Sequence, residues 1–124
     1  MMRRAPIQAE RLEQEALVQW FALKYPGLIL FAIPNGLARS SSAACSVRGG
    51  LVAGMPDLML CVANKEHHGL FIELKRPKSF DRPAGKANTK QLDMILRLNQ
   101  AGYMAVIAWG WMEASNIIDQ YLST

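Results

Sequence analysis

The sequence predicts an α/β domain: a mixed central sheet of about four strands flanked by helices, in the order α-β-β-β-α-β-α. Short apolar runs bounded by Pro, Gly and Asn indicate strands, and longer stretches with apolar residues at helical spacing indicate helices. The chain has 124 residues, 51% hydrophobic and 19% charged. That length can bury a core, so we expect residues 1–124 to form a single domain.

A helix is the first predicted element. Apolar residues recur at helical spacing from Pro6 to about Lys24, and Pro26-Gly27 ends the pattern. The run LILFAI, Leu28 to Ile33, follows and is bounded by Pro-Gly and Pro-Asn-Gly, which indicates a strand. From Asn35 to Gly54 the sequence is rich in Ser, Gly and Ala. This stretch predicts a loop long enough to act as a lid or a binding loop.

A hairpin is predicted next. Leu58 to Val62 and Leu70 to Leu74 are apolar runs, and the turn residues ANKEHHG lie between them. Lys75 to Asn88 then forms a basic loop that contains two prolines. The hairpin therefore leads directly into a positively charged segment.

The last three elements are a helix, a strand and a helix. Thr89 can cap a helix that runs to about Gln100, and Gly102 follows its end. YMAVIAW, Tyr103 to Trp109, predicts the fourth strand. A final helix from about Met112 to Leu122 places its apolar residues on one face.

The cellular compartment is predicted from the lack of a membrane-spanning run, a signal peptide and a disulfide framework in the sequence. No apolar run approaches the ~18–20 residues that cross a bilayer, so we expect no membrane partner. The stretch MMRRAPIQAERLEQEA has no apolar core of the kind a signal peptide needs. Cys45 and Cys61 are too few for a disulfide framework and are not in a CxxC pair. We therefore expect a cytoplasmic protein with two reduced thiols.

Positive charge is concentrated in one part of the chain. The net charge is only +4, but six of the 14 basic residues fall within residues 75–90, against one acid, Asp81. A cluster of this kind can neutralise phosphates. A solvated lysine-rich loop is the alternative that charge alone leaves open. The six residues are Lys75, Arg76, Lys78, Arg82, Lys86 and Lys90.

Three charged residues are predicted to meet at the end of the hairpin. Strand side chains alternate between faces, so Glu73 and Lys75 share a face, ~7 Å apart along the strand. If the turn is centred near Lys65 or Glu66, Asp57 lies opposite Glu73 or Lys75. Charges that are separated in sequence then form one cluster.

This cluster indicates metal-assisted phosphate chemistry. Two adjacent carboxylates repel each other unless they share a cation, and oxygen ligands suit Mg²⁺ or Mn²⁺. A lysine beside the metal can help to activate water and stabilise charge on phosphoryl oxygens. The structural alternative is an Asp cap with a surface Glu–Lys pair on an edge strand.

The same residues resemble a known family. Pro56-Asp57, a gap of fifteen residues and then Glu73-Leu74-Lys75 is similar to the PD-(D/E)xK nuclease motif. With AIPNG, GMPDLML, LFIELKRP and a Gln at the start of the next helix, the chain resembles the small stand-alone VRR-NUC type of phages and bacteria. The resemblance runs from about Glu10 to Leu122. It implies a restriction-endonuclease-like fold and Mg²⁺- or Mn²⁺-dependent DNA cleavage in the cytoplasm of a bacterial or phage-infected cell.

Site residues are carried over from this resemblance. Asp57 and Glu73 would be metal ligands, with the Leu74 carbonyl as a third. Lys75 would orient or deprotonate the attacking water. Gln91 matches a glutamine that this family places beside the E-x-K strand; its alternative is a helix-surface glutamine.

The family also has a glutamate on the first helix, where three compete. Glu13 shares a face with apolar residues of that helix, so we take Glu13 as the expected catalytic and metal-binding residue, with Glu10 and Glu15 as alternatives. Members often carry a basic residue just before the Gly that precedes Pro-Asp. Here the nearest cation is Arg48. The expected DNA-binding residues are Arg48, Arg76, Lys78, Arg82, Lys86 and Lys90.

Three functions are compatible with these residues. The first is an endonuclease acting on branched DNA, such as four-way (Holliday) junctions, as a homodimer with two symmetric sites. The second is a nickase or restriction-type nuclease on linear duplex, which the lack of a visible sequence-reading module disfavours. The third is a non-catalytic DNA-binding accessory protein, which the intact Asp, Glu and Lys disfavour.

Overall fold

A four-stranded mixed sheet lies at the centre of the molecule. The computed structural model describes residues 6–34 and 48–124 of the chain. Within them the spatial strand order follows the chain order, with β1–β2 and β2–β3 antiparallel and β3–β4 parallel. The predicted mixed α/β fold is confirmed. The strands are β1 (Leu30–Ala32), β2 (Leu58–Leu60), β3 (Leu70–Lys75) and β4 (Met104–Trp109).

Three helices flank the sheet in the described residues: α1 (Pro6–Lys24), α2 (Thr89–Gln100) and α3 (Trp111–Leu122). α2 carries the chain from β3 back to the start of β4, the kind of crossover that parallel strands require. α1 and α3 pack against each other and against β3. The order of the seven elements is the predicted one.

The core lies between the sheet and the α1–α3 pair. Alternate residues of β3 point towards these helices and are fully buried. They pack with α1 and α3 side chains that recur at helical spacing, which is why the apolar periodicity predicted these helices. The core includes Leu17, Phe21, Leu70, Ile72, Leu74, Ala114, Ile118 and Tyr121.

The hairpin register decides where the charged residues lie. Leu58 pairs with Ile72 and Leu60 with Leu70. Continued by one residue, this register sets Asp57 opposite Glu73, the first of the two predicted positions. The predicted hairpin is confirmed.

The first strand is shorter than predicted from its apolar run. The Leu28 N–H binds the Tyr25 carbonyl at 3.1 Å, so the beginning of the run belongs to the turn after α1. The last residue of the run lies just beyond β1 but still pairs with the residue just before β2, since the Ile33 N–H donates to the Asp57 carbonyl at 2.7 Å. The predicted loop from Asn35 to Gly54 lies mainly outside the described residues.

The cap of α2 differs from the prediction. Asn88, rather than Thr89, is the N-cap, and its side chain accepts a hydrogen bond from the Gln91 backbone N–H. The Gln91 side chain in turn accepts from the Asn88 N–H at 2.9 Å. This reciprocal pair is a capping box, a motif that Asn supports at least as well as Thr.

Over residues 6–34 and 48–124, no helix combines the length and the apolar character needed to cross a membrane.

The packing of α1 predicts the effect of a core truncation. Leu17 is 0% exposed, whereas Leu23 on the same helix is 87% exposed. Leu17→Ala is expected to lower the free energy of unfolding by about 2–5 kcal/mol, because it removes buried methyl groups and leaves a cavity. Leu23→Ala serves as the control and should change it by less than about 0.5 kcal/mol. Urea denaturation followed by circular dichroism measures both; similar losses would show that Leu17 is not core.

Candidate active site

A proline interrupts the hydrogen-bond ladder of the hairpin at the site. The β2–β3 register sets Pro56 opposite Leu74, and proline has no N–H to donate to the Leu74 carbonyl. The Leu74 N–H, whose acceptor in a regular ladder would be the Pro56 carbonyl, donates to the Asp57 carboxylate, at 2.8 Å from Oδ2. This bond holds the side chain of Asp57 against β3.

Glu73 and Lys75 lie on the sheet face opposite to Leu74. They are only 2% and 7% exposed. Lys75 Nζ lies 3.7 Å from Glu73 Oε1. The other oxygen, Oε2, is buried and has no hydrogen-bond partner among the described atoms. An unpartnered buried carboxylate oxygen is costly unless a further group binds it.

The electrostatics of Glu73 follow from this burial. Desolvation, followed by a hydrogen bond and charge repulsion from Asp57, raises its pKa from 4.5 to about 9. The charge of Lys75 acts in the opposite direction and is the smaller effect. At neutral pH the Glu73 carboxyl group therefore keeps its proton in the absence of another cation.

The first-helix glutamates have different partners from those predicted. Glu13 Oε1 accepts from the Trp111 N–H at 2.9 Å, so it binds the first residue of α3, where Gly110 provides no side-chain cap. Glu10 is the α1 glutamate whose charge contributes to the raised pKa of Glu73. The structure thus brings Glu10 into the electrostatic environment of the site and engages Glu13 as a link between helices. Glu15 is exposed and pairs with Arg11 at 3.7 Å.

A cleft of about 280 Å³ leads to Asp57. Gln91 and Lys90 of α2 form one wall, and residues 51–55 form the other. The walls meet at Gly54, where φ is +84° and an added Cβ would lie 2.7 Å from the Lys90 carbonyl oxygen. Gly54 therefore permits the close approach to Lys90, and Gln91 lines the same cleft as Asp57. The Gln91 side chain also serves the capping box, so its position is fixed.

The basic loop begins where β3 ends. Gly85 closes the loop, because its N–H donates to the Arg76 carbonyl at 2.8 Å. An added Cβ on Gly85 would lie 3.5 Å from both the Lys75 Cβ and the Glu10 carboxylate. The loop is thus anchored on the site. Of the expected DNA-binding residues, Arg48, Lys78, Lys86 and Lys90 are exposed, while Arg76 and Arg82 are partly buried.

The oxygen donors of the site fit a hard divalent cation. Asp57, Glu73 and the Leu74 carbonyl supply oxygen donors, and Glu73 Oε2 lacks a partner. Across the described ranges no group of three or more His, Cys, Asp and Glu side chains could hold a metal. Mg²⁺ nevertheless needs few protein ligands: it retains much of its hydration shell and is commonly bound by one or two carboxylates together with waters.

Fold and site together define a nuclease of the PD-(D/E)xK type. The model of the VRR-NUC domain family matches residues 7–110. A solved structure titled "VRR_NUC domain protein" superposes with a TM-score of 0.78 at 28% identity, covering 98% of this chain and 92% of that one. A search of curated proteins found no significant match. The chain belongs to the VRR-NUC family, and its substrate as a nuclease is DNA.

Sequence reasoning missed three features of the site. Glu10 was predicted only as an alternative to Glu13, since helical spacing cannot tell which glutamate of α1 lies near Glu73. The sequence does show a glycine, Gly54, shortly before Pro56-Asp57. The residue that Gly54 approaches, Lys90 of α2, is 36 positions away, so no local pattern in the sequence indicates that contact. The tie between Glu13 and Trp111 spans 98 residues and had no local signal.

The raised pKa of Glu73 predicts how stability depends on pH. Between pH 4.5 and about 9 the folded state holds a proton that the unfolded state has lost, so the free energy of unfolding falls as pH rises. The slope from this one group is at most about 1.4 kcal/mol per pH unit. Glu73→Gln removes this titration. In EDTA it is expected to be more stable than the wild type at pH 8, with a difference that shrinks towards pH 5.

Urea denaturation at several pH values measures this difference. Glu66→Gln, in the exposed hairpin turn, is the matched control and should parallel the wild type. Parallel curves for Glu73→Gln and the wild type would contradict the raised pKa.

Proposed function

We propose that this protein is a metal-dependent endonuclease that hydrolyses phosphodiester bonds in branched DNA, such as four-way junctions. The observation that carries the proposal is the cluster of Asp57 with the buried Glu73 and Lys75, at the point where the basic loop begins. A fold alone does not define a reaction, but this cluster combines hard oxygen donors with a cation at one point.

Mg²⁺ or Mn²⁺ is the proposed cofactor. Asp57, Glu73 and the Leu74 carbonyl would hold it, and Glu10 is better placed than Glu13 to add a water-mediated contact, because its charge already acts on Glu73. When bound, the ion supplies Lewis-acid polarisation of the phosphate and lowers the pKa of water. Next to such a cation the ionised form of Glu73 would be favoured, against the desolvation that raises its pKa.

The protein's own groups position the other reactants. Lys75 is held by the burial of its side chain and by Glu73, and its ammonium group orients the attacking water and stabilises negative charge on the phosphoryl oxygens. Gln91 borders the same cleft as Asp57 and can donate a hydrogen bond to the phosphate or water. Exposed lysines of the basic loop and of α2 bind neighbouring phosphates.

Branched DNA is favoured over a specific linear sequence. In the described residues no two consecutive helices form a helix-turn-helix, since each pair of helices is separated by at least one strand. Recognition therefore relies on phosphates and on DNA shape. A nickase or restriction-type nuclease on linear duplex is the alternative enzyme, and a DNA-binding accessory protein is the non-enzymatic one.

A homodimer is part of the proposal, since two symmetric cuts need two sites related by a two-fold axis. The edge strand β1 supports it. The run from Leu28 to Ile33 carries no charge, and Phe31 is 42% exposed at the edge of the sheet. Edge strands of monomers are usually protected by charge or proline, whereas this one can pair with a second copy.

Cleavage assays test the proposed activity. The wild type is expected to cut a four-way junction in Mg²⁺ or Mn²⁺ and to be inactive in EDTA. Lys75→Ala should lower kcat/KM by about 100-fold or more, because it removes the group that orients water and stabilises charge. Asp57→Asn should lower both the activity and the affinity for Mn²⁺, the latter measured by calorimetry.

Lys65→Ala is the matched control, since this exposed lysine lies in the hairpin turn at the opposite end of β3. It should retain wild-type activity. Equal cutting of linear duplex would favour the alternative enzyme. Junction binding without any cleavage, unchanged in Asp57→Asn, would favour the accessory protein.

Light scattering after gel filtration tests the dimer. The wild type is expected at twice the 13.8 kDa chain mass. Phe31→Lys should shift it towards the monomer, because it places a charge on the edge strand. Leu96→Lys changes a comparably exposed apolar residue on α2 and should leave the dimer intact. A monomeric wild type at working concentrations would contradict the proposal.

A further inference from the structure

Phe80 is the most exposed large apolar side chain in the described part of the protein. It is 97% exposed, so it contributes nothing to the core. It lies in the middle of the basic loop and not beside other apolar residues: its sequence neighbours are Lys78, Ser79, Asp81 and Arg82. An isolated exposed apolar residue is ordinary in itself; what distinguishes Phe80 is its setting in the basic loop.

The backbone presents Phe80 at the tip of a tight turn. The Ser79 N–H donates to the Arg82 carbonyl at 3.0 Å, and the Arg82 N–H donates back to the Ser79 carbonyl at 3.4 Å. Phe80 and Asp81 are the two residues between them. The Ser79 hydroxyl donates to the Asp81 carboxylate at 2.8 Å, which engages that acid within the turn. The phenyl ring therefore projects from a closed, hydrogen-bonded structure.

The turn is held by the rest of the loop and by β4. The Arg76 guanidinium donates to the Pro83 carbonyl at 2.9 and 3.3 Å. The Trp109 indole N–H donates to the Gly85 carbonyl at 2.7 Å, beside the closing bond between Gly85 and Arg76. These contacts fix the loop at both of its ends, so the position of Phe80 relative to the site is defined by the fold.

Phe80 is within reach of DNA bound at the site. It lies five positions after Lys75 in the sequence, so its Cα is no more than about 18 Å from that of Lys75. Bases along one strand are about 3.4 Å apart, which places Phe80 within roughly five base steps of the scissile phosphate. Lys78 and Arg82, two residues before and after it, can bind the phosphates on either side.

We propose that Phe80 stacks on an unpaired or unstacked nucleobase at the branch point of the DNA, and so selects branched substrates. This inference rests on the proposed nuclease function and specifies its substrate recognition. An aromatic ring flanked by two cations matches the surface of a base between two phosphates. In intact duplex the bases are already stacked, and insertion must first separate them, whereas a branch point or bulge offers a base at lower cost.

Binding measurements in EDTA test the proposal without cleavage. Three labelled DNAs of matched sequence are used: a linear duplex, the same duplex with one unpaired nucleotide, and a four-way junction. Phe80→Ala is expected to bind the second and third about tenfold or more weakly and the linear duplex within twofold of the wild type. Phe80→Trp should restore the selectivity, and Phe80→Leu should restore it only in part.

Two controls separate stacking from other effects. Leu23→Ala removes another exposed apolar side chain, ten residues along α1 from Glu13 and thus ~15 Å away, and should bind all three DNAs as the wild type does. Lys78→Ala should weaken all three and reduce the salt dependence by about one phosphate contact. Circular dichroism should show unchanged folding, since a fully exposed ring stabilises nothing.

Several outcomes would overturn the proposal: unchanged junction binding by Phe80→Ala, an equal loss on all three DNAs, or a change in oligomeric mass that marks Phe80 as a contact between copies. The binding measurements do not depend on whether the protein cleaves DNA. If the wild type fails to cleave any DNA in Mg²⁺ or Mn²⁺, the proposed enzyme falls while selective binding through Phe80 can still hold. If it cleaves junctions but Phe80→Ala keeps its selectivity, only this inference falls.

Discussion

The hydrogen bond between the Leu74 N–H and the Asp57 carboxylate sets the geometry of the site. It lies at the end of the ladder between β2 and β3, opposite Pro56, and a side-chain oxygen accepts from the Leu74 backbone there. The bond holds Asp57 at the carboxyl end of β3, next to Glu73. Separately, Pro56 has no N–H to donate to the Leu74 carbonyl. The end of the hairpin thus offers a fixed carboxylate and a carbonyl oxygen.

The second constraint is the burial of Glu73. A carboxyl group that is almost inaccessible, close to another carboxyl and supplied with an unpartnered oxygen, destabilises the folded state unless a proton or a cation is bound. The apolar core on the opposite face of the sheet offsets this cost. Residues of β3 therefore serve both purposes in alternation: Ile72 and Leu74 pack against α1 and α3, while Glu73 and Lys75 form the site. Strand periodicity makes that division possible.

Long-range contacts bring the remaining parts to this point. Gly54 lets the segment before β2 touch the start of α2, which brings Gln91 to the cleft. Gly85 closes the basic loop over Lys75 and the Glu10 carboxylate. Glu13 ties α1 to the first residue of α3. The site is thus surrounded by elements from the whole chain, and the positive loop that emerges from it is anchored rather than free. That arrangement suits recognition of DNA by shape and charge.

Much of this could be predicted from the sequence, and the remainder has a common reason. Apolar periodicity predicted the seven elements, and the hairpin predicted that Asp57 lies opposite Glu73 or Lys75, because both signals are local in sequence. The register of the sheet then selected Glu73. The family motif pointed to the same cluster. Helical spacing could not separate Glu10 from Glu13, since both lie near one face of α1. Only the tertiary structure decided that Glu13 binds Trp111 while Glu10 acts on Glu73, because the crossing of α1 over the end of the sheet depends on packing between residues about 100 positions apart.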